Sequence, residues 1–190
     1  MTNQDDLTLV APWTEGPERE LARTRIFRVT EATCTSTTQP GLSFAAARLR
    51  CPDWVNVIAL TPERQVVLIE QYRHGIAAVT LEIPGGMVDE GETASEAIAR
   101  ELLEETGFAG EPVRLLGVTT PNPAFQDNRL TTGLVLNSRR VTQATGDGHE
   151  EIGVRLASLD EVAGFMRRGV ISHALVVAAF HLFSLSEGAR

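Results

Sequence analysis

Lysine is absent from this chain: all 17 basic residues among its 190 are arginines, and 25 acidic residues outnumber them. The resulting formal charge of −8 argues against binding to nucleic acid or anionic lipid by bulk electrostatic attraction. A polyanionic ligand would therefore need a cation between itself and the protein.

Cysteine is scarce, since only Cys34 and Cys51 are present, too few for a disulfide framework. A chain reversal near Gln39 would place Cys34 opposite Phe44. Cys51 would then lie opposite Arg28, so the two thiols would not meet and we expect no disulfide.

Long hydrophobic runs are absent too. Polar side chains interrupt the most apolar stretch, residues 171–185, which is too short to span a bilayer. The first ten residues lack both the basic region and the apolar region of a signal peptide. These absences predict a cytoplasmic protein with neither membrane nor nucleic-acid partners.

The composition suits one globular domain with a small appendage, because 43% of the residues are hydrophobic and only nine are prolines. Residues 1–52 are predicted to form a loose arm, ordered from about Leu21, followed by a β-hairpin. Residues 53–190 are predicted to form the main domain.

Within the main domain, two apolar runs at 54–60 and 65–72 are predicted to pair as a buried hairpin, because a proline-containing turn separates them. A short strand at 79–83 precedes Pro84-Gly85-Gly86, which breaks it. Further strands are predicted at 113–119, 131–137 and 152–156, with helices at 158–169 and from 172 or 173 to 184.

The most complete local pattern predicts a helix over residues 94–105. Thr93 and Glu96 form a capping-box pattern at its start, and Gly107 supplies a left-handed position after its end. The residues between them are good helix formers.

Three carboxylates, those of Glu101, Glu104 and Glu105, fall on one arc of this helix beside its apolar side. Like charges at this spacing repel, and near a helix C-terminus the macrodipole disfavours them further. A solvated acidic face is one interpretation. Because a glycine-rich loop precedes the helix, we favour a site for Mg²⁺ or Mn²⁺, a hard cation that turns the repulsion into binding energy.

The segment from Gly86 to Phe108 resembles the Nudix box of the Nudix hydrolases without a gap. The matching residues are Gly86, Glu92, Arg100, Glu101, Leu102, Glu104, Glu105, Gly107 and Phe108. The resemblance implies an α/β protein with the Nudix fold, an α/β/α sandwich with a mixed β-sheet, preceded here by a small N-terminal β-subdomain. It also implies hydrolysis of a nucleoside diphosphate linked to another group.

The same resemblance implies roles for the residues of the box. Glu101, Glu104 and Glu105 would hold the metal, with the Gly86 carbonyl joining them. Glu92 and Arg100 would brace the loop against the helix rather than take part in chemistry.

Outside the box, the chain resembles the branch of ADP-ribose pyrophosphatases and nucleotide-sugar hydrolases. The shared pieces are Glu70-Gln71-Tyr72-Arg73, Leu81-Glu82-Ile83-Pro84-Gly85-Gly86, Pro123 and the segment 169–171. The loop at 121–129 departs from the Ser-Pro-Gly stretch of many ADP-ribose hydrolases, so ADP-ribose is one candidate among nucleotide sugars. The two β-rich segments before the main domain would leave an exposed edge, which predicts a homodimer through the N-terminal strands. The resemblance implies that this region completes the partner's substrate site.

Five residues are candidates for substrate contacts: Trp54, Arg73, Glu82, Asn128 and Arg129. Arg73 could equally form a structural salt bridge, and Trp54 is more often a packing residue than a platform for a base. Asp127, Asn128 and Arg129 are interpreted as contacts to the distal sugar, with an Asx turn and a surface arginine as the alternative.

The general base is predicted to be Glu150 or Glu151, in an acidic loop before a strand, and otherwise Glu104 in the box. The resemblance implies that a glutamate of this loop swings toward the metals and helps to activate water; a merely solvated loop is the alternative. The four histidines show no ligand spacing and are assigned no chemistry; they are His74, His149, His173 and His181.

Together these features predict a Mg²⁺-dependent pyrophosphohydrolase that splits a nucleoside diphosphate sugar, such as ADP-ribose, into a nucleoside monophosphate and a sugar phosphate. Another Nudix substrate is an alternative: a dinucleotide, coenzyme A or a nucleoside triphosphate. A further alternative is a non-catalytic nucleotide-sugar sensor, although such proteins tend to lose box glutamates and all remain here.

Overall fold

The computed structural model describes residues 9–145 and 151–188, which divide into two compact units. The N-terminal unit comprises the chain up to Pro52 together with Asn122–Asn128. The main unit comprises Asp53–Pro121 and the chain from Arg129 onward. Segment 122–128 thus belongs to the N-terminal unit, although the sequence pattern places it within residues 53–190.

The N-terminal unit is one antiparallel sheet around a central strand. In chain order its four strands are β1 Thr14–Glu15, β2 Arg19–Arg23, β3 Arg28–Thr35 and β4 Ser43–Arg50. The central strand is β3, which pairs along one edge with β4 and along the other with β1 and β2.

Order in this unit begins earlier than Leu21, so that prediction is wrong. Glu15 forms an ion pair with Arg48, and Glu18 forms one with Arg50, which fastens the predicted loose arm to the sheet. A sequence pattern does not reveal such pairs, because their partners lie more than thirty positions away.

The register of the β3–β4 hairpin keeps the two thiols apart. Cys34 pairs with Phe44, as predicted, whereas Arg28 pairs with Arg50 rather than with Cys51, one residue from the predicted position. Both cysteines are free.

Segment 122–128 joins the N-terminal unit through bonds to the end of β4. The Leu49 N–H donates to the Phe125 carbonyl at 2.7 Å, and Arg50 Nη1 donates to Asp127 Oδ2 at 2.9 Å. The Cys51 N–H donates to Asp127 Oδ1 at 3.1 Å. These bonds hold the Asp127 carboxylate within this unit.

The main unit contains nine strands and three helices among its described residues. They are β5 Trp54–Ala59, β6 Gln65–Arg73, β7 Ala78–Glu82, β8 Gly85–Met87, α1 Ala94–Thr106, β9 Phe108–Ala109, β10 Arg114–Thr119, β11 Leu130–Val135, β12 Arg139–Arg140, β13 Ile152–Ser158, α2 Leu159–Arg167 and α3 Ala174–Gly188.

Two sheets dominate this unit. The mixed sheet has the order β10-β11-β5-β8, in which β5 and β11 are parallel and the other pairs are antiparallel. The second sheet is antiparallel, with the order β13-β6-β7. Strands β9 and β12 form a separate short pair.

The predicted hairpin between runs 54–60 and 65–72 is wrong, because β5 and β6 belong to different sheets. Among the described residues, the strand pairing between the two runs is limited to an isolated bridge between Leu60 and Val66. Strand β5 already has partners on both edges, β8 and β11, and β6 likewise lies between β7 and β13. Both apolar runs are therefore central strands.

Alternating side chains of β5 enter two separate cores. Val55, Val57 and Ala59 pack with α1 residues such as Ile98 and Leu102. The opposite side chains, such as Ile58, pack with residues of α2 and α3, including Val162, Val176 and Phe183. Helices therefore cover both sides of the strands, which confirms the predicted α/β/α arrangement.

No helix in the described part of the chain is long and apolar enough to cross a membrane. Helix α3, the one predicted within the most apolar stretch, has 15 residues. The cytoplasmic location stays a prediction.

Candidate active site

The glycine-rich loop and α1 form as the sequence predicts. The Thr93 hydroxyl accepts from the Glu96 N–H while the Glu96 carboxylate accepts from the Thr93 N–H, a complete capping box. Gly107 ends the helix with a φ of 73°, in the left-handed region. Strand β8, which the sequence did not predict, precedes the loop and pairs with β5.

Arg100 connects the loop to the acidic edge of α1. Its Nε and Nη2 donate to the two oxygens of Glu92 at 2.9 Å each, and Nη2 also donates to the Met87 carbonyl at 2.9 Å. Its Nη1 donates to Glu101 at 2.8 Å and to Glu104 at 3.2 Å. This one guanidinium therefore braces the loop and gathers two of the three predicted metal ligands.

Glu92 is held as the bracing residue that the box resemblance implies. Besides Arg100, it accepts the Asp89 N–H at 3.1 Å within the loop. These bonds, first of all those from Arg100, lower the pKa of Glu92.

The Glu101 carboxylate lies against the backbone of Gly86. A β-carbon on Gly86 would come within 2.3 Å of Glu101 Oε1, so only glycine allows this approach. Burial raises the pKa of Glu101 and the neighbouring Glu104 charge adds to the rise, although Arg100 opposes it. A cation here would therefore meet a carboxylate that is poorly solvated.

Glu105 is buried, with its Oε2 accepting the Gly85 N–H at 2.9 Å. Gly85 is itself pressed against β5, because a β-carbon there would lie 2.3 Å from the Val55 carbonyl oxygen. The end of α1 therefore meets β8 at both glycines: Glu105 accepts a bond from Gly85, and Glu101 lies against Gly86.

A second polar cluster surrounds the buried carboxylate of Glu82. Arg73 donates to it through two parallel bonds, Nε to Oε1 at 2.9 Å and Nη2 to Oε2 at 2.8 Å. The Thr80 hydroxyl donates to Oε1 at 2.7 Å, and His173 Nδ1 lies 2.7 Å from Oε2. Burial alone raises the pKa of Glu82, but the bonds from Arg73, His173 and Thr80 outweigh it and hold the pKa well below its usual value.

Sequence reasoning missed His173. It stands 91 positions from Glu82, and no spacing rule connects a residue before a C-terminal helix to the end of a strand. The structural salt bridge considered for Arg73 is present, with Glu82 as its partner.

The remaining substrate candidates lie near the start of β5 and in the loop before β11. Trp54 is half-buried, and its backbone N–H donates to the carbonyl of the exposed Arg129 at 2.8 Å. The Arg129 N–H donates to Asp53 Oδ1 at 2.8 Å. Asn128 is only 2% exposed, and neither side-chain amide atom has a hydrogen-bond partner among the described residues. An Asn128 contact to a ligand would have to reach this buried amide.

Of the two predicted bases, Glu151 is exposed and directly precedes β13, whose first residue, Ile152, pairs with Gln71. Glu150 lies outside the described residues. Neither assignment is tested by this geometry.

The box fits a hard divalent cation by its donor chemistry. It presents carboxylate oxygens from one helix edge, and the absence of a side chain at Gly86 lets the Glu101 carboxylate approach the backbone there. In the part of the chain that the structure describes, however, no three acidic, histidine or cysteine side chains already converge as a metal cluster. Glu101 and Glu104 both bond to Arg100, whereas Glu105 accepts the Gly85 N–H, so the three carboxylates lie along one helix edge without converging on one point.

Comparisons with known proteins show the family to which this chain belongs. A profile of the NUDIX domain matches residues 52–180. The methanol dehydrogenase activator of Bacillus methanolicus is 30% identical over 143 residues, covering 75% of this chain and 77% of that protein. The ADP-ribose pyrophosphatase of Bacillus subtilis is 32% identical over 76 residues, 40% of this chain and 41% of that one.

A solved structure, described as an ADP compounds hydrolase, has the same fold. It superimposes with a TM-score of 0.83 and covers 96% of this chain and 97% of its own, at 21% sequence identity. Because the profile spans more than half of the chain and includes the whole loop–helix segment described above, the chain belongs to the Nudix family of hydrolases, enzymes that cleave diphosphate bonds.

Proposed function

We propose that this protein is a Mg²⁺-dependent pyrophosphohydrolase of nucleoside diphosphate sugars, with ADP-ribose as the leading candidate. The observation that carries the proposal is the acidic edge of α1, where Glu101 and Glu104 meet one arginine while Glu101 lies against Gly86. Similarity to ADP-ribose pyrophosphatases supports the choice of substrate class.

Glu101, Glu104 and Glu105, with the Gly86 carbonyl, would hold the divalent ion that Nudix hydrolases generally use. When bound, such an ion neutralises diphosphate charge and lowers the pKa of the water bound to it. Arg100 and Glu92 keep the loop and the helix edge in register, because their paired bonds fix the guanidinium plane.

Arg73 is proposed to contact the diphosphate or the terminal sugar. Its guanidinium is partly exposed, while Glu82 beneath it is buried and fixes its plane through two parallel bonds. A planar fork held in this way is suited to anionic oxygens, because little side-chain freedom remains to be lost on binding.

Water activation is proposed to end with a proton transferred to a glutamate, Glu150 or Glu151, or Glu104 if neither serves. Glu151 is exposed at the start of β13, where it can accept a proton from solvent-facing water. A carboxylate suffices as the base when the water is already acidified.

The proposal is tested by measuring phosphomonoester products from a panel of nucleotide sugars, dinucleotides, coenzyme A and nucleoside triphosphates. We expect ADP-ribose or another nucleotide sugar to give the highest kcat/KM with Mg²⁺, and chelation to abolish turnover. Wild-type turnover that survives exhaustive chelation would contradict the mechanism. Preference for a triphosphate would contradict the substrate class.

A further inference from the structure

The Glu82 carboxylate has all of its acceptor positions occupied. An ionised carboxylate offers about four lone-pair sites, and four bonds reach Glu82: two from Arg73, one from Thr80 and one from His173. Thr80 donates to Oε1 and His173 to Oε2, one on each side of the Arg73 fork. The buried anion is therefore fixed from both sides.

Only one of these donors comes from outside the β6–β7 hairpin. Arg73 and Thr80 belong to β6 and β7, whereas His173 directly precedes α3. The His173 carbonyl accepts the N–H groups of Val176 and Val177, so its backbone forms the first turn of that helix. Val176, Ala179 and Phe183 anchor the helix in the core. His173 thus ties Glu82 to a rigid element.

The partner of His173 determines which ring nitrogen must carry a hydrogen. The carboxylate of Glu82 stays ionised because its donors hold its pKa low, so it can only accept, and His173 Nδ1 must carry the hydrogen. Oε2 then receives two donors, His173 Nδ1 at 2.7 Å and Arg73 Nη2 at 2.8 Å. Any displacement of this oxygen moves the guanidinium that shares it.

We propose that His173 is a positioning residue for Arg73, acting through Glu82 to set the tilt of the guanidinium toward the substrate. The inference rests on the proposed function, in which Arg73 contacts the diphosphate or terminal sugar. The side chains of Arg73 and His173 are 39% and 37% exposed, whereas that of Glu82 is 3% exposed. The buried Glu82 carboxylate therefore holds the partly exposed Arg73 guanidinium so that it faces solvent.

The test compares His173→Leu, which removes the donor, with His173→Asn, whose amide can donate from near the Nδ1 position. With the best nucleotide sugar as substrate, we expect His173→Leu to raise KM about tenfold with kcat within about twofold, since misplacing a binding group weakens substrate binding. His173→Asn should restore KM to within about threefold of wild type. His181→Leu, at an exposed histidine within α3, the helix that His173 directly precedes, is the matched control.

A double-mutant cycle separates positioning from a merely structural role. If His173 acts through Arg73, His173→Leu should change KM less than twofold in an Arg73→Lys background. An equal change in both backgrounds, or an unchanged KM in His173→Leu, would overturn the inference. If His173→Leu does not fold, His173→Asn and His173→Gln are compared in its place, and equal KM values for these two would overturn it.

The two proposals fail in different ways. A wild-type protein that hydrolyses no nucleotide sugar refutes the proposed function and removes this inference with it. A wild-type protein that hydrolyses one, with His173→Leu indistinguishable from the His181→Leu control, refutes the inference alone.

Discussion

At the scale of single residues, two buried or partly buried glutamates of the main unit have pKa values shifted in opposite directions. Glu82 has a donor for every lone pair, and its pKa is lowered; Glu101 meets Arg100 but also burial and the Glu104 charge, and its pKa is raised. Glu82 is thus held in place as an ion by its donors, whereas the charge of Glu101 is only partly compensated. We therefore expect metal binding at Glu101 rather than at Glu82.

Glu104→Gln is expected to reduce kcat by at least about 10²-fold while the fold is retained. Its side chain is 44% exposed and bonds to Arg100 at 3.2 Å, so its loss should change the free energy of unfolding by less than about 1 kcal/mol. Kinetics with Mg²⁺ and chemical denaturation measure the two effects. Glu90→Gln, in the same segment but exposed, is the control, and equal kcat in both variants would contradict a role for Glu104.

Glu105→Gln should behave differently from Glu104→Gln, although both lie on the same helix edge. Glu105 is buried, and its carboxylate accepts the Gly85 N–H. Weakening this charge-assisted bond should lower the free energy of unfolding by about 1–2 kcal/mol in addition to reducing turnover. A thermal or chemical unfolding curve identical to that of wild type would contradict this expectation.

The stability of the protein is expected to fall as the pH drops below about 5, and Glu82 contributes to this loss. Its folded-state pKa lies below its unfolded value, so the unfolded chain takes up the proton first and the stabilisation is lost as the pH falls. Glu82→Gln should lower the free energy of unfolding at pH 7 by about 1–3 kcal/mol and flatten its decline in acid. Chemical denaturation at several pH values measures both; an unchanged slope would contradict the assignment.

At the scale of elements, the sequence predicted what depends on neighbouring residues. Helix α1 with its capping box and Gly107 cap, and α2 with the Ser158–Glu161 box, need only contacts within a few positions. The separation of β5 from β6 could not be predicted, because their partners β11 and β13 lie far along the chain and periodicity does not identify partners.

Within the site, too, the sequence predicted features that depend on neighbouring residues and not those that depend on distant ones. The box spacing predicted that Glu101, Glu104 and Glu105 share one helix edge, and the structure places them there. It could not predict that Arg100 bonds to two of them, nor that His173 completes the bonding of Glu82. Those contacts depend on side-chain directions and on packing between distant elements.

We expect alanine to impair different properties at two neighbouring glycines of strand β8. Gly86→Ala should lower activity, and Gly85→Ala should lower stability. A β-carbon at Gly86 meets the Glu101 carboxylate, a side chain that can move, so kcat should fall strongly while stability changes little. A β-carbon at Gly85 meets the Val55 carbonyl, which is backbone of β5, so the free energy of unfolding should fall by more than about 2 kcal/mol. Parallel kinetics and denaturation distinguish them, and the reverse pattern would contradict the roles given to the two glycines.

At the scale of the whole molecule, the predicted homodimer has a candidate surface in the N-terminal unit. Among the described residues, β4 pairs only with β3 and, through Leu49, with Gln126. Leu49 directs its N–H and carbonyl away from β3, so the alternate residues Ala47 and Ala45 do the same. Both are exposed and uncharged, and an unguarded edge of this kind favours pairing with another strand.

Light scattering is expected to give the mass of a dimer at working concentrations, and Ala45→Pro is expected to shift it toward the monomer. Proline removes an outward N–H without removing a bond to β3, which suits an edge position. Ala46→Pro, which removes an N–H on the β3 side, should instead lower stability. A wild-type monomer with full activity would contradict the dimer.

The parallel pairing of β5 with β11 sets the order in which this protein can fold. Trp54 pairs with Leu130, so the intervening chain, including α1 and β10, must be brought into a closed loop before the centre of the mixed sheet exists. The entropic cost of closing a loop grows with the logarithm of its length and is about 4 kcal/mol here. This cost arises before the contacts of the mixed sheet can offset it. Helix α1 and the β3–β4 and β6–β7 hairpins, whose contacts are local, can form first, and the mixed sheet is completed late.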